Sequence, residues 1–554
     1  MPTRRPNGRS RKSQSRRQEF TILASLLLAL FLPALLPIAC GKRGPSGAAI
    51  NHAIQTRVIH DDKSISIAGE RLIESKAVAH FYKAHQYRAS WSEGSVPKVI
   101  DAIKGVYADG LNPDDYHLAT IQKLDEQRKH ASTAELEGDL DLLLTDAIAA
   151  IFDHVRYGKV RPGTIDPHWN VDPRDDMPPL EDQVGQVVGA KDPVAAIQAE
   201  KPDHFIYKGL VGALAKMREI EKSGGWGTVP PGKSLKPGAV DARIPRVRAR
   251  LAASGELDAG AAKDSSRRYD TKLVEAVKLF QAHHRLNEDG LIDKGTVEAM
   301  NVSASERAAQ VRVNLERARW VLGGLKGDFV LVNLPAFKAY LIQDGQNVWE
   351  SRTQIGEEAK QTPTFRAQMK TVVFNPDWTV PKSIIVEELL PDIQAGKDAL
   401  GSRGLKVYDS SGNEIDPSSV DLETATVKQP PGPKNALGQV KFLFPNKYSI
   451  YLHDTPNQHL FESEKRTFSH GCIRLDNAMD LAHILLKGQM DRVQIANAVA
   501  SGETKEVALQ RKPYVLIVYW TVSVGASGEV RYAEDIYHQD QALLNRLNAP
   551  PIAA

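Results

Sequence analysis

Apolar residues recur along the 554-residue chain with three different spacings. From Phe20 to Ala39 the run is almost unbroken, interrupted mainly by Pro33 and Pro37. From Gly69 to about Glu221 the spacing is helical. Asp139 to Leu144 lead into Ala147, Ile148, Ile151, Phe152 and Val155, an apolar face at i, i+3, i+4. Gly110 and Pro113 predict a helix end and a turn. Ile244, Val247 and Leu251 mark another helix face, and Val274, Val277 and Phe280 a second. A third helix begins over Thr296 to Met300, and Arg307 to Leu322 forms a connecting helix. Beyond Asp328 the period falls to 2, which predicts strands over 329–334, 338–342, 371–374, 448–452 and 514–520. Between Ile384 and about Lys428 the pattern turns polar and helical, an insertion expected to cover the β domain.

These changes divide the chain into segments. They are a leader over 1–40, a polar tether over 41–68 and a helical scaffold over 69–223. A Gly/Pro-rich linker over 224–240 precedes a three-helix unit over 241–301. A connecting helix over 302–327 leads to a β domain over 328–500 with its insertion at 384–428, and a strand and tail fill 501–554. The expected fold class is multidomain α+β. Trp91, Tyr116 and the histidines of the scaffold read as packing residues, because no catalytic grouping accompanies them. The three-helix unit is small enough that docking onto its neighbours is expected.

Composition narrows the function. A hydrophobic share of 42% with 25% charged residues describes a globular chain, not a disordered or polytopic membrane protein. The net charge of +3 provides no basic field for nucleic acid, so no nucleic-acid partner is expected. Arg4, Arg5, Arg9, Arg11, Lys12, Arg16 and Arg17 precede the apolar run, and without them the rest is net acidic. Cations before an apolar segment predict an export signal or a membrane anchor. Ile38-Ala39-Cys40-Gly41 is similar to the end of a bacterial lipoprotein signal, which would lipidate Cys40. An uncleaved anchor of about twenty residues is the alternative. Either route places the remainder outside the cytoplasm, in the periplasm or at the membrane surface. With two cysteines, Cys40 and Cys472, the chain has neither a disulfide scaffold nor a four-thiolate metal site.

The candidate chemistry lies between His453-Asp454 and Ser469-His470-Gly471-Cys472-Ile473-Arg474. A free thiol has a pKa of about 8.5, so it needs a base to act as a nucleophile at neutral pH. An imidazole supplies that base and can later protonate a leaving amine. Gly471 lets the backbone turn beside the thiol and aim N–H groups at an oxyanion. An inert buried thiol fits poorly with an exported protein. A zinc site built on His453, His470 and Cys472 lacks any further ligand spacing, and a papain-like protease lacks its local signature. No metal and no cofactor are expected.

Two stretches carry a family resemblance. The helix with Phe280-Gln281, the Asp289-Gly290 turn and Thr296 to Asn301 resemble the peptidoglycan-binding type-one domain. His453 followed by Ser469-His470-Gly471-Cys472-Ile473-Arg474 closely resembles the catalytic motif of YkuD-type L,D-transpeptidases. The whole arrangement resembles the large multidomain form of Gram-negative bacteria. The resemblance implies a mixed β-sandwich catalytic domain with a cap, Cys472 as nucleophile and His453 as base. It further implies that the Asp454 carbonyl orients His453 and that Ser469 and His470 shape the pocket. The N–H groups of Gly471 and Cys472 would form the oxyanion hole, and Arg474 would hold the loop or a substrate carboxylate. Asp454 stands where the family often has glycine. The implied partners are peptidoglycan tetrapeptide stems and the bacterial cell wall. The implied reaction releases D-alanine through a thioester, forms 3→3 cross-links, and is open to carbapenem acylation. Hydrolysis of stems by an endopeptidase or carboxypeptidase, and a non-catalytic wall tether, are the other classes open.

Overall fold

The computed structural model describes residues 44–59, 65–175, 177–323, 325 and 327–552. The expected leader with Cys40 lies outside them. Among the described residues no helix is long and apolar enough to cross a membrane. The segment expected as a polar tether departs from that expectation, since Gly47–Val58 is helical and Ser46 caps it by accepting from the Ala49 N–H. Ile54 and Val58, four apart, give this otherwise polar stretch an apolar stripe, and both are buried.

The helical body wraps helix α1 (Ala134–Tyr157), whose first turn is closed by the Thr133 side chain on Leu136 N. The predicted apolar face is buried, and so is most of the opposite side, including Asp141, Thr145, Asp146 and His154. Buried carboxylates are tolerated because they terminate neighbouring chains. Asp146 accepts from Ile73 N and Glu74 N at 2.8 Å each. Asp141 accepts from Ser90 N and Trp91 N at 2.9 Å. Trp91 Nε1 reaches Thr145, and the Tyr116 hydroxyl meets His154 Nδ1 at 3.0 Å. Helix α2 (Phe205–Lys222) follows, with His204 accepting from the Ile206 N–H at its start.

In the three-helix unit, α3 (Ile244–Ser254), α4 (Thr271–His283) and α5 (Lys294–Asn301) enclose a core of Ile244, Val247, Leu273, Val277, Phe280 and Met300. The Gln281 side chain, itself buried, explains the Phe-Gln and Asp-Gly signals together. Its Nε2 donates to Leu291 O at 3.0 Å and its Oε1 accepts from Gly290 N at 2.9 Å, which fixes the turn between α4 and α5. The stretch read as a linker is instead part of this unit. Val229 is buried in its core, Asn301 exchanges two hydrogen bonds with the Val229 backbone, and Leu235 bridges to Ile292. Glycine and proline here shape a packed edge rather than a free chain.

Among the described residues, the C-terminal β region is built on one mixed sheet of eleven strands. In chain order these are β1 (Phe329–Asn333), β2 (Lys338–Gln343), β3 (Gln346–Gly356), β4 (Phe365–Gln368) and β5 (Thr371–Phe374). Four cap strands follow: β6 (Trp378–Thr379), β7 (Lys406–Tyr408), β8 (Glu414–Ile415) and β9 (Thr426–Gln429). The main sheet resumes with β10 (Val440–Leu443), β11 (Leu452–His453), β12 (Thr467–Ser469), β13 (Ile473–Leu475), β14 (Lys505–Ala508) and β15 (Tyr514–Val518). Its order is β14-β5-β10-β11-β13-β3-β2-β1-β15-β4, with β12 parallel beside β3. The insertion is not purely helical: three strands, β7, β8 and β9, pair with β6 just ahead of it in a separate sheet over a core of Val380, Ile385, Leu389, Val407 and Val427. The strand predicted over 448–452 is shortened to Leu452–His453. Asn446 Oδ1 accepts from Tyr448 N and Ile450 N, and Ser449 takes φ +57°, so a turn occupies those residues.

Helix α6 (Ala304–Leu322) joins the parts. Ser303 and Glu306 form a reciprocal capping box at its start. Buried at its centre, Glu316 accepts from Val160 N at 2.6 Å and from Arg319 Nη1 at 2.8 Å. Arg319 reaches on to Asp109 O and the Tyr207 hydroxyl, and Trp320 Nε1 donates to Val160 O. Gly158 makes this approach possible, since it has φ +94° and a Cβ there would stand 2.7 Å from Trp320 Nε1. Glu316→Ala would leave Arg319 buried without its carboxylate. Urea unfolding should show a loss of roughly 3–5 kcal/mol; a change under about 1 kcal/mol would mean the pair is not structural.

Candidate active site

Strand alternation builds the site. β11 and β13 pair in parallel with Leu452 opposite Ile473 and His453 opposite Arg474. Leu452, Ile473 and Leu475 are fully buried in the sheet core. The alternate residues Tyr451, His453, Cys472 and Arg474 therefore share the other face. β10 extends that face, placing Lys441 opposite His453, and β3 adds Gln354 opposite Arg474.

His453 is 3% exposed, and its Nδ1 lies 2.5 Å from the Asp454 carbonyl oxygen. A carbonyl can only accept, so Nδ1 carries the proton and Nε2 is the basic nitrogen. Burial first, and then the Arg474 charge, push the His453 pKa down to about 3. The imidazole is therefore neutral at physiological pH. Cys472 is half-buried, with Sγ 3.8 Å from Ser449 O. Burial raises its thiol pKa, while hydrogen bonds from Tyr451 and the charges of Arg474 and Lys441 pull it the other way. Lys441 is itself lowered by burial, and its ammonium sits 5.4 Å from the centre of the Tyr451 ring.

The loop before the thiol is tightly tied. Ser469 Oγ donates to Cys472 O at 2.5 Å and accepts from Gly471 N at 3.1 Å. That second bond occupies the Gly471 N–H, one of the two groups expected to face an oxyanion. Gly471 has φ +112°, a region disfavoured for any residue with a Cβ. Arg474 Nη1 donates to Gln354 Oε1 at 3.1 Å, while its Nε is buried without a protein partner among the described residues. Asp454 does not face the thiol. Its carboxylate accepts from Gln439 N and Gln458 Nε2 and packs on Gly438, which holds the turn after His453.

His470 points to the cap, where its Nε2 lies 2.5 Å from Glu388 Oε1. Glu388 and Glu387 sit on a single π-helical turn, Ile385–Leu389, and Glu387 pairs with Lys360 at 2.7 Å. The cap is thus joined to the thiol loop through His470 and to the neighbouring 356–362 loop through Lys360. Lys441, Tyr451, Gln354 and Glu388 were not singled out in the sequence. Alternation from His453 would have found Tyr451, and a lone lysine in the apolar run 440–444 would have marked Lys441. Nothing local marks Glu388.

Three families match this chain. Residues 327–495 match the YkuD family, described as "L,D-transpeptidase catalytic domain", and 76–214 match a "Scaffold domain". Residues 241–300 match a "Putative peptidoglycan binding domain". A Haemophilus influenzae protein named "Putative L,D-transpeptidase" is 32% identical over 240 residues, covering 42% of this chain and 48% of its own length. The chain thus spans about half of that relative. Solved L,D-transpeptidases from Xylanimonas cellulosilytica and Stackebrandtia nassauensis are 15% and 14% identical. Each aligns over 52% of this chain, and over 99% and 96% of its own, with TM-scores of 0.17 and 0.20. Taken with the helical body, the helical module and the mixed sheet, the matched families identify a multidomain protein that carries a YkuD-type L,D-transpeptidase catalytic domain and a peptidoglycan-binding module.

Proposed function

We propose that the protein is a cell-wall L,D-transpeptidase that forms 3→3 cross-links between peptidoglycan stems through a Cys472 thioester. The observation that carries this reading is the shared face of His453 and Cys472 on paired strands, with Nδ1 of His453 committed to the Asp454 carbonyl. The Cys472 thiol gives its proton to His453 Nε2 as the sulfur attacks the carbonyl of the third stem residue. The oxyanion is met by the Cys472 N–H, because the Gly471 N–H is held by Ser469. Collapse breaks the peptide bond to the terminal D-alanine, whose amine takes the proton from the imidazolium. The side-chain amine of a second stem then attacks the thioester, loses a proton to His453, and leaves the thiol restored. No nucleotide or metal is needed for this exchange.

Arg474 and Lys441 flank the thiol and suit the carboxylates of a stem peptide. The cap, joined at Glu387 and Glu388, limits water at the thioester and favours an amine acceptor. The cationic and apolar leader supports a periplasmic location with attachment through an anchor or a lipid on Cys40.

Incubation with purified disaccharide-tetrapeptide should yield a dimer lacking one D-alanine by mass, and Cys472→Ala should reduce it to background. A tripeptide product alone would make the enzyme a carboxypeptidase, and residual dimer in the variant would remove Cys472 from the chemistry. His453→Ala should slow carbapenem adduct formation on Cys472 by about 10²–10⁴-fold. A larger loss in His470→Ala would transfer the base role to His470.

The depressed pKa of His453 fixes the pH dependence. A base works when deprotonated, so its activity falls only as pH drops through its folded pKa of about 3. Initial rates of carbapenem acylation from pH 4.5 to 8 should show no inflection near 6.5. An inflection there that persists in His470→Ala would show His453 to be solvated and titrating normally.

A further inference from the structure

The loop from Gly356 to Thr362 lies under the catalytic turn and touches it twice. Glu357 N donates to Ser469 O at 2.9 Å, and Thr362 Oγ1 donates to Gly471 O at 2.8 Å. The direction of the second bond is fixed. Thr362 Oγ1 accepts from Gly356 N at 2.9 Å, which leaves its own proton for the Gly471 carbonyl. That carbonyl and the Cys472 N–H belong to one planar trans peptide and point in opposite directions. Holding Gly471 O therefore aims the Cys472 N–H. On the far side of Cys472, Ser469 Oγ holds the Cys472 carbonyl, so both peptide planes flanking the nucleophile are pinned.

Thr362 is in turn held from outside the residues matched to the catalytic family, which end at 495. Tyr537, in the C-terminal segment, is buried, and its hydroxyl donates to Gly356 O at 2.6 Å while accepting from Thr362 N at 3.3 Å. One hydroxyl thus closes the base of the loop from both ends. Tyr537 is itself placed with care. Its N–H donates to the Tyr519 hydroxyl at 2.7 Å, the two rings stack at 5.7 Å, and the Tyr519 hydroxyl donates to Asp535 at 2.6 Å. Asp535 also accepts from Gln539 N and Asp540 N, which fastens the turn that carries Tyr537. Shape packing alone would be met by phenylalanine at 537. The two-sided use of its hydroxyl is what a positioning role needs.

We propose that Tyr537 is a positioning residue for acyl transfer: through the Gly356–Thr362 loop it holds the Gly471 carbonyl and so aims the Cys472 N–H at the developing oxyanion. The proposal rests on Cys472 being the acylated nucleophile. It also gives the C-terminal segment a part in catalysis, because the oxyanion donor loses its alignment when the tail hydroxyl is removed.

The test separates oxyanion stabilisation from thiol reactivity in the full chain. Carbapenem opening passes through a tetrahedral oxyanion, whereas alkylation by iodoacetamide displaces iodide at a carbon and forms none. Tyr537→Phe keeps the stacked ring and removes only the hydroxyl. It should slow carbapenem acylation about tenfold, while Thr362→Val should slow it by about 10²-fold, the scale of one lost oxyanion donor. Alkylation of Cys472 should stay within about twofold in both. Thr362→Ser keeps the hydroxyl and should restore acylation to near the wild-type rate, and turnover should show the loss in kcat with KM unchanged. Equal losses in acylation and alkylation would show a merely structural effect and overturn the proposal, as would unchanged acylation in Tyr537→Phe. If the wild-type protein forms no thioester at Cys472 at all, the transpeptidase reading itself fails and this proposal falls with it.

Discussion

The parallel pairing of two very short strands, Leu452–His453 with Ile473–Leu475, is the constraint on which the rest depends. Side chains alternate with a period of 2, so a slip of one residue would send Cys472 or His453 into the core and bring a leucine or isoleucine to the surface. Burial of Leu452, Ile473 and Leu475 holds the register against that slip. Lys441, Arg474 and Gln354 reach the same face only because neighbouring strands keep step with this pair.

Electrostatics then decides what kind of site this face is. Desolvation pushes the thiol up and the imidazole down, so the resting pair is neutral even though two cationic side chains adjoin it. A neutral pair stores no ion pair to be disrupted, so in the proposed reaction the proton would move only as the sulfur attacks. The nearby cations are oriented before substrate arrives and can act on charge that develops later. The cap contributes its own carboxylates at the rim, where Glu387 meets Lys360 and Glu388 meets His470.

The surrounding bodies are joined to the β region by a shared apolar core, in which Leu214, Val311 and Trp320 pack with Leu516, Val518 and Trp520, and by polar contacts that orient it. Glu316 and Arg319 on α6 hold backbone groups of the helical body, and the module reaches the catalytic region through Arg285 Nη2 to Ser523 and Asn287 N to Glu464. The small module gains core from the preceding Gly/Pro-rich stretch, whose Val229 and Leu235 it buries. Such contacts are directional, so they fix orientation as well as proximity.

Much of this was legible in the sequence, and the reasons are local. The 3.6 spacing of Ala147, Ile148, Ile151 and Phe152, the shift to a period of 2 beyond Asp328, and the His453 to Arg474 motif are carried by neighbours in the chain. Each can be read without knowing what packs against it. The helix at Gly47–Val58, the turn that cut short the strand before Leu452, and the folding of the apparent linker were not legible in the same way. Each depends on a partner far along the chain or on a side chain capping a turn. The same division runs through the site. The sequence alone marked which thiol and which imidazole are the candidates for the chemistry, because their motif is compact. Only the tertiary structure decided that His453 is neutral, that the Gly471 N–H is already bonded, and that Glu388, Thr362 and Tyr537 surround the loop. Burial and hydrogen-bond direction are properties of the assembled interior, and residues 109 and 181 positions apart become neighbours only there.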